Sequence, residues 1–167
     1  VNMDLITQQK IATLHPKIRQ EVAQLVEVAN SKLKIHSQMR IVQAYRSFEE
    51  QDALYAQGRT KPGPVVTNAK GGETYHNYGL AFDFCLIIDG KDASWDIHMD
   101  WDKDKVEDWT EVVDVFKAAG YEWGGYWKSF KDNPHLQKLF GHTWHDLLPL
   151  YNAGKTFVDN GYKYINL

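Results

Sequence analysis

The chain has 167 residues, a net charge of −3 and 43% hydrophobic residues, which is the size and composition of one folded domain. The near-neutral charge excludes the basic surface typical of nucleic-acid binding, and no run of about 18 apolar residues is present to insert into a membrane. A single cysteine, Cys85, excludes an internal disulfide. We therefore expect one domain over residues 1–167.

Helical and extended patterns both occur in the first half of the chain. Apolar residues recur every three or four positions over residues 16–33, which predicts an amphipathic helix. Residues 39–45 predict a short strand. Ser47 and Glu50 form a capping box that begins a helix to residue 57. The proline- and glycine-rich stretch over residues 59–72 predicts a loop.

The second half continues the mixed pattern. Residues 79–88 form a short apolar run bounded by Asp-Gly, which predicts a buried strand. Further elements are expected at 106–119 (amphipathic helix), 121–123 (strand), 143–152 (helix) and 162–167 (strand). Because this order lacks a regular βαβ rhythm, it predicts an α+β fold with a small, largely antiparallel sheet flanked by helices.

One carboxylate, Asp83, interrupts the apolar strand at residues 79–88 and points away from the face that carries Phe82 and Phe84. An isolated buried charge is very costly. Asp83 must therefore be paired, bound to a metal, or hydrogen-bonded to backbone amides near the strand end. His76, at the end of the glycine-rich loop, is a candidate partner.

The second candidate piece is the tetrapeptide Asp-Asn-Pro-His at residues 132–135. Pro134 favours an extended conformation before it, which excludes a helical metal motif and favours a turn with His135 on a strand. Zinc hydrolases use three protein ligands, with a carboxylate outside the metal shell as general base. His76, Asp83 and His135 supply such a ligand set, and Asp132 supplies the base. Taken alone, His135 fits a core or surface histidine better than a metal ligand.

Together these segments resemble the zinc peptidases that cut peptidoglycan peptides. This family includes D-alanyl-D-alanine carboxypeptidases and dipeptidases and, most similar here, the L-alanyl-D-glutamate endopeptidases of phage endolysins and bacterial autolysins. The resemblance covers nearly the whole chain. Its specific part comprises Tyr45-Arg46-Ser47, LYAQGRT at 54–60, VTNAK at 66–70 and YHNYGLAFD at 75–83, followed by Trp123-Gly124-Gly125 and Pro134-His135.

The resemblance implies a fold of the Hedgehog/D,D-peptidase type and a zinc cofactor. It implies that His76, Asp83 and His135 bind zinc and that Asp132 is the catalytic carboxylate. Arg46 matches the family arginine that holds the substrate carbonyl and its developing oxyanion. A fixed guanidinium suits that role because it stabilises charge that grows in the transition state.

Four further residues are expected to contact the substrate: Gln51, Tyr78, Tyr126 and Trp127. Gln51 lies on the helix after Arg46, and a solvent-facing or supporting role fits it equally well. Tyr126 is a departure, because the family segment commonly has aspartate at this position. The missing charge is expected to change metal affinity or substrate preference.

An acidic segment is a candidate calcium loop. Oxygen side chains stand at positions 1, 3, 5, 9 and 12 of the calcium-hand pattern, namely Asp100, Asp102, Asp104, Asp108 and Glu111. Lys105 stands where that pattern has glycine, which argues against the sharp turn. The segment is therefore either a Ca²⁺ site or a solvated acidic loop before a helix.

The resulting functional expectation is a bacteriolytic zinc endopeptidase that hydrolyses the L-Ala–D-Glu bond of peptidoglycan stem peptides. The alternatives are a D-Ala-D-Ala carboxypeptidase and a non-catalytic zinc domain that binds peptidoglycan or a protein. We expect a monomer with no nucleic-acid partner. No secretory signal is visible at residues 1–4. A phage lysin would wait in the host cytoplasm before reaching the wall, whereas an autolysin would be secreted or bound to the cell wall.

Overall fold

The computed structural model describes residues 3–167, so the first two residues used in the signal-peptide argument lie outside the described residues. The helices are α1 (Leu5–Ile11), α2 (Pro16–Leu33), α3 (Phe48–Ala56), α4 (Asp108–Ala118) and α5 (Trp144–Asn152). The strands are β1 (Ser37–Gln43), β2 (Ala81–Ile88), β3 (Asp92–Ser94), β4 (Glu122–Trp123), β5 (His135–Gln137), β6 (Thr156–Asp159) and β7 (Tyr162–Ile165). Short 3-10 helices cover Tyr75–Tyr78 and Gly124–Tyr126.

The main sheet is antiparallel throughout and has the strand order β1-β2-β5-β4, with β3 also paired to β2. Strands β6 and β7 form a separate hairpin. This arrangement confirms the predicted α+β class. The register of β2 against β5 places Asp83 directly opposite His135, which brings two of the expected ligands together.

Helices α2 and α4 cover the apolar face of the sheet. On α2 the buried positions follow the predicted period: Ile18, Val22, Val26, Ala29 and Leu33. On β2, Phe82 and Phe84 point into this core, and the ring of Phe84 lies 4.4 Å from that of Trp109 on α4. Each fully buried side chain of this size contributes about 1.5–3 kcal/mol to stability. Asp83 therefore lies on a strand that the core holds firmly in place.

Most predicted elements form within a few residues of their expected bounds. The helix predicted at 16–33 has those ends, and the Ser47–Glu50 capping box forms with both hydrogen bonds at 3.0 Å. Helix α4 begins two residues later than predicted, because the acidic segment before it folds as a loop. Five short elements were not predicted: α1, β3, β6 and the two 3-10 helices. None of the helices within residues 3–167 is long and apolar enough to cross a lipid bilayer.

Candidate metal centre and its cleft

Three side chains from separate elements converge at the middle of the sheet. His76 comes from the 3-10 helix before β2, Asp83 from β2 and His135 from β5. His76 Nε2 lies 3.4 Å from Asp83 Oδ2, and His135 Nδ1 lies 3.3 Å from Asp83 Oδ1. Both histidines are buried. The structure therefore brings together the three residues that the sequence had grouped as ligands.

One hydrogen bond fixes the position of the proton on the His76 ring. It thereby determines which ring nitrogen turns a lone pair toward Asp83. His76 Nδ1 lies 2.8 Å from the carbonyl oxygen of Ala44. A carbonyl oxygen can only accept, so Nδ1 carries the proton. In the neutral ring, Nε2 then presents its lone pair to the carboxylate of Asp83.

Two side-chain hydrogen bonds in series fix the position of the proton on the His135 ring in the same way. Gln137 Nε2 donates to Glu122 Oε2 at 3.0 Å, so Gln137 Oε1 is the atom left to accept from His135 Nε2 at 2.7 Å. The neutral ring of His135 therefore carries its proton on Nε2 and turns the lone pair of Nδ1 toward Asp83. Sequence reasoning missed Gln137 and Glu122, since neither stands in a recognisable motif.

At this site two nitrogen lone pairs and one carboxylate face each other. All three groups are acceptors, and none of them donates to the others. Asp83 Oδ1 is buried and has no hydrogen bond within residues 3–167. The three ligand atoms lie within 4.8 Å of one another. Nitrogen and oxygen donors in this number match a tetrahedral metal site that keeps one position open. The residues present therefore fit a bound divalent metal.

The electrostatics of the three residues point the same way. Burial by itself raises the pKa of Asp83, but the adjacent His76 and His135 lower it well below its ordinary range. Burial likewise lowers the pKa of His135, yet contact with Asp83 outweighs it and the pKa of His135 is raised. The buried carboxylate thus needs positive charge beside it, from protons or from a metal. Within residues 3–167, no backbone amide donates to the carboxylate of Asp83, so that alternative does not occur there.

The turn that carries Asp132 is held at three consecutive residues. The amide of Asp132 donates to Gly124 O at 3.0 Å. The carbonyl of Asn133 accepts from the indole nitrogens of Trp109 at 3.1 Å and Trp123 at 2.7 Å. The carbonyl of Pro134 accepts from the amide of Phe84 at 3.1 Å. The role of these two tryptophans as donors to this turn was not predicted.

Gly124 is required by the close approach of this turn. A Cβ atom at Gly124 would overlap the carbonyl oxygen of Asp132. The Trp-Gly-Gly segment therefore supports the position of Asp132 through its backbone.

Asp132 itself stands at the open side of the ligand set. Its side chain is 45% exposed, and Oδ2 lies 3.7 Å from His135 Nδ1. Partial burial raises the pKa of Asp132, and the neighbouring negative charge of Asp83 raises it further. A carboxylate with a raised pKa beside a metal site is suited to accept and return a proton.

Arg46 is fixed from both its backbone and its side chain. Its amide donates to His76 O at 3.0 Å, and its carbonyl accepts from Asn77 Nδ2 at 2.7 Å. Its Nη1 donates to Gln51 Oε1 at 2.8 Å. Burial lowers the pKa of Arg46, while the negative charges of Asp83 and Asp132 favour its charged form.

Gln51 acts as a brace for this arginine. It is 1% exposed, and its Nε2 donates to Ala69 O at 2.8 Å and Thr67 Oγ1 at 3.3 Å. The solvent-facing alternative for Gln51 is therefore excluded. Its amide ties Arg46 to the loop on the opposite wall.

The site opens into a cleft of about 970 Å³. Its floor carries Arg46, His76, Asp83, Asp132 and His135, and its walls include the aromatic residues Tyr75, Trp127, Phe130 and Trp144. The ring of Trp127 lies 5.2 Å from that of His135. Trp127 therefore lines the cleft next to the ligand set, as the substrate-contact expectation requires.

The two tyrosines expected to touch substrate lie elsewhere. Tyr78 is 1% exposed, and its hydroxyl donates to Gly72 O at 2.6 Å, so it supports the loop from inside. Tyr126 is exposed but does not line the cleft; its ring packs on Trp123, and its hydroxyl accepts from Lys117 Nζ at 3.1 Å. Neither tyrosine lines the cleft, and the substitution at position 126 leaves the ligand set intact.

Comparison with known proteins identifies the family. The sequence model of a family described as D-alanyl-D-alanine carboxypeptidase matches residues 67–138. Over 126 residues the chain is 49% identical to the peptidoglycan L-alanyl-D-glutamate endopeptidase CwlK of Bacillus subtilis, covering 75% of this chain and 74% of the relative. The chain belongs to the peptidase M15 family. The resemblance seen in the sequence is confirmed.

Other relatives agree with this membership. An L-alanyl-D-glutamate peptidase of Listeria phage A118 is 42% identical over 88 residues, which are 50% of this chain and 29% of that protein. The L-Ala D-Glu endopeptidase ChiX of Serratia marcescens shares the fold, with a TM-score of 0.54 at 20% identity over 84% of this chain and 91% of that one. M15 peptidases are metal-dependent, and this M15 chain is a metallopeptidase.

Proposed function

We propose that this M15 peptidase is a zinc-dependent endopeptidase that hydrolyses the L-Ala–D-Glu bond of peptidoglycan stem peptides. The observation that carries the proposal is the convergence of His76, Asp83 and His135 at the floor of an open cleft, with Asp132 and Arg46 beside them. Two relatives named for this activity support the choice of bond.

Zinc is the metal that suits this donor set. Two imidazoles and one carboxylate are the ligands of catalytic zinc sites, which keep a position open toward the substrate. A zinc ion held by these residues would supply Lewis acidity and the activation of water for attack. Ala44 and Gln137 would act as the outer partners that keep both histidines in the ligating tautomer.

The chain itself supplies proton transfer and charge stabilisation. Asp132 would take a proton from the attacking water and return it to the leaving amine, so that water is added across the broken C–N bond. Arg46, braced by Gln51, would stabilise the negative charge that grows on the carbonyl oxygen. Trp127 and the other aromatic walls would hold the peptide and keep bulk water away.

A D-Ala-D-Ala carboxypeptidase is the second candidate, favoured by the description of the matching family. Digestion of purified peptidoglycan separates the two. The proposed activity yields new L-alanine carboxyl ends and D-glutamate amino ends, whereas the second candidate releases free D-alanine. A chelator should abolish cleavage and added Zn²⁺ should restore it. Release of D-alanine without new D-glutamate ends would overturn the proposed bond.

Two variants test the residue roles. Asp132→Ala should retain zinc but lower the turnover number by about 10²–10⁴-fold, because proton transfer is removed and the ligands are not. His135→Ala should lose zinc. His36, an exposed residue just before β1, provides the matched histidine control: His36→Ala should keep both metal and activity. Near-normal turnover in Asp132→Ala, or full zinc occupancy in His135→Ala, would reject the corresponding role.

A further inference from the structure

A second cluster of ligating groups lies away from the catalytic cleft, in the loop between β3 and α4. Its carboxylates form two groups: Asp100, Asp102 and Asp108 in one, and Asp102, Asp104 and Glu111 in the other. Within each group the ligand atoms lie within 4.8 Å of one another. Asp102 belongs to both groups and stands at the centre of the cluster.

One oxygen of the central carboxylate is buried without a hydrogen bond to any described residue, whereas the other accepts from the amide of Asp104 at 3.3 Å. The side chain of Asp102 is 1% exposed, and its Oδ2 has no hydrogen bond within residues 3–167. Glu111 Oε2 is likewise buried without a hydrogen bond in the described part of the chain. Unpaired buried carboxylate oxygens are rare because desolvation of a charge is costly. Two of them within one cluster of carboxylates favour a cation as their shared partner.

The protein supplies too little positive charge to fill that role. Lys34 Nζ lies 3.8 Å from Asp102 Oδ2 and 3.6 Å from Asp104 Oδ2, and its side chain is 56% exposed. At these distances it makes an ion pair across solvent and no direct hydrogen bond. A surface lysine of this kind does not compensate five carboxylates.

The electrostatics of the cluster show the same deficit. Burial raises the pKa of Glu111 to about 8, with further contributions from Asp104, Asp102 and Asp108. Burial also raises the pKa of Asp102, and the contact with Asp100 adds to it. Both shifts arise because carboxylates are crowded together in this loop.

The loop makes the sharp turn of the calcium-hand pattern at Lys105, which stands at position 6 of that pattern. We did not expect this turn, because the pattern has glycine there. Lys105 adopts a left-handed backbone conformation, with φ 74°. Asp100 accepts from the amides of Asp104 at 3.2 Å and Lys105 at 2.8 Å, which offsets the strain of that conformation. The argument against a calcium loop from the missing glycine is therefore wrong.

We propose that residues 100–111 bind one calcium ion, with Asp102 and Glu111 as central ligands. The other ligands are Asp100 and Asp104, with the backbone carbonyl at position 7 and, through water, Asp108 at position 9. An all-oxygen, carboxylate-rich set suits Ca²⁺, whereas zinc prefers nitrogen and sulfur ligands, and Mg²⁺ keeps most of its waters.

The site is connected to the turn beside the metal centre through the start of α4. Asp108 accepts hydrogen bonds from Ser37 Oγ on β1 and from the amide of Trp101. The next residue, Trp109, donates to the carbonyl of Asn133. Calcium would thus fix the residue that holds the turn carrying Asp132. The expected effect on turnover rests on the proposed function, but the binding of calcium does not.

Thermal unfolding of the zinc-loaded protein, with and without CaCl2, tests the site. At about 100 times the dissociation constant, calcium should raise Tm by on the order of 5–10 °C, since a ligand of the folded state stabilises it by mass action. Magnesium at the same concentration should have a much smaller effect. Calorimetric titration with CaCl2 should give one ion per chain.

Asp102→Asn and Glu111→Gln should abolish the calcium-dependent rise in Tm. In calcium-free buffer both variants should unfold at or above the Tm of the parent protein, because each removes repulsion among carboxylates. Asp114→Asn changes one exposed carboxylate on α4 outside the cluster and is the matched control; its calcium response should be unchanged. A variant that unfolds early without calcium would assign Asp102 or Glu111 a purely structural role and overturn the proposal.

His135→Ala separates this site from the catalytic one. Its rise in Tm with calcium should persist although zinc is lost. A parent protein whose Tm does not respond to millimolar CaCl2 would overturn the calcium site and leave the proposed function standing. Conversely, a calcium response in a protein that cleaves no peptidoglycan would overturn the proposed function alone.

Discussion

Replacing Gln137 by methionine would remove the acceptor for the His135 ring while nearly keeping the side-chain volume. Gln137 Oε1 lies 2.7 Å from His135 Nε2, and both residues are 4% exposed. Water has little access to this contact, so the imidazole N–H of the variant is left buried and unpaired. The ring can then rotate or shift its proton to Nδ1, the nitrogen that faces Asp83.

The size of the effect follows from the loss of that single hydrogen bond. An unsatisfied buried donor costs about 1–3 kcal/mol. Loss of an outer partner of a metal-ligating histidine lowers metal affinity by about 10–100-fold, which corresponds to about 1.4–2.8 kcal/mol. The two ranges agree, so Gln137→Met should weaken zinc binding by one to two orders of magnitude.

Competition with a chromophoric chelator measures the zinc affinity, and nitrogen chemical shifts of the histidine rings report the tautomer. Glu122→Gln is the matched control, because glutamine at position 122 can still accept from Gln137 Nε2 and should leave zinc affinity near that of the parent. The result that would refute the orienting role of Gln137 is a zinc affinity for Gln137→Met within about threefold of the parent, with the His135 tautomer unchanged.

Two further predictions concern the turn and the acidic loop. Trp123→Phe removes one of two indole donors to the Asn133 carbonyl and should lower the free energy of unfolding, measured in urea, by about 1 kcal/mol. Turnover should fall by a larger factor than zinc content. Turnover equal to that of the parent would contradict the role of these indole hydrogen bonds in holding the turn of Asp132. Between pH 4.5 and about 8 the unfolded chain has lost the Glu111 proton while the folded, calcium-free protein keeps it, so stability should fall as pH rises. The free energy of unfolding of Glu111→Gln, measured by chemical denaturation, should therefore rise relative to that of the parent as pH increases across this range. A difference between the two proteins that does not change with pH would contradict the raised pKa of Glu111.

Several features were predictable because they depend on neighbours in the sequence. The apolar period of α2 and the capping box of α3 involve contacts within one or two helical turns, and both form as predicted. The strand β2 was predictable from its apolar run and its bounding turn. Pro134 argued against a helix and for a turn before His135, and the chain does turn at residues 133–134 before β5 begins.

Other features depend on partners far away in the sequence. Helix α1 has only seven residues and is short of the length at which local periodicity is informative. The burial of Tyr78 follows from its packing with Leu147 and Ile165, which belong to the C-terminal part of the chain. The family pattern gave the position of Tyr78 next to His76, but it could not show that the two side chains point to different sides.

The sequence by itself determined the residue types of the metal site, the α+β class and the family, because these depend on local pattern and on matched motifs. The tertiary structure decided which ring nitrogens face Asp83, through Ala44 and Gln137, and how two tryptophans fix the turn of Asp132. It also showed that Asp102 Oδ2 is buried with no hydrogen bond within residues 3–167, which supports the proposal of a calcium site in the acidic loop. The physical reason is that orientation, burial and hydrogen-bond satisfaction are properties of contacts between distant segments, which only the folded chain brings together.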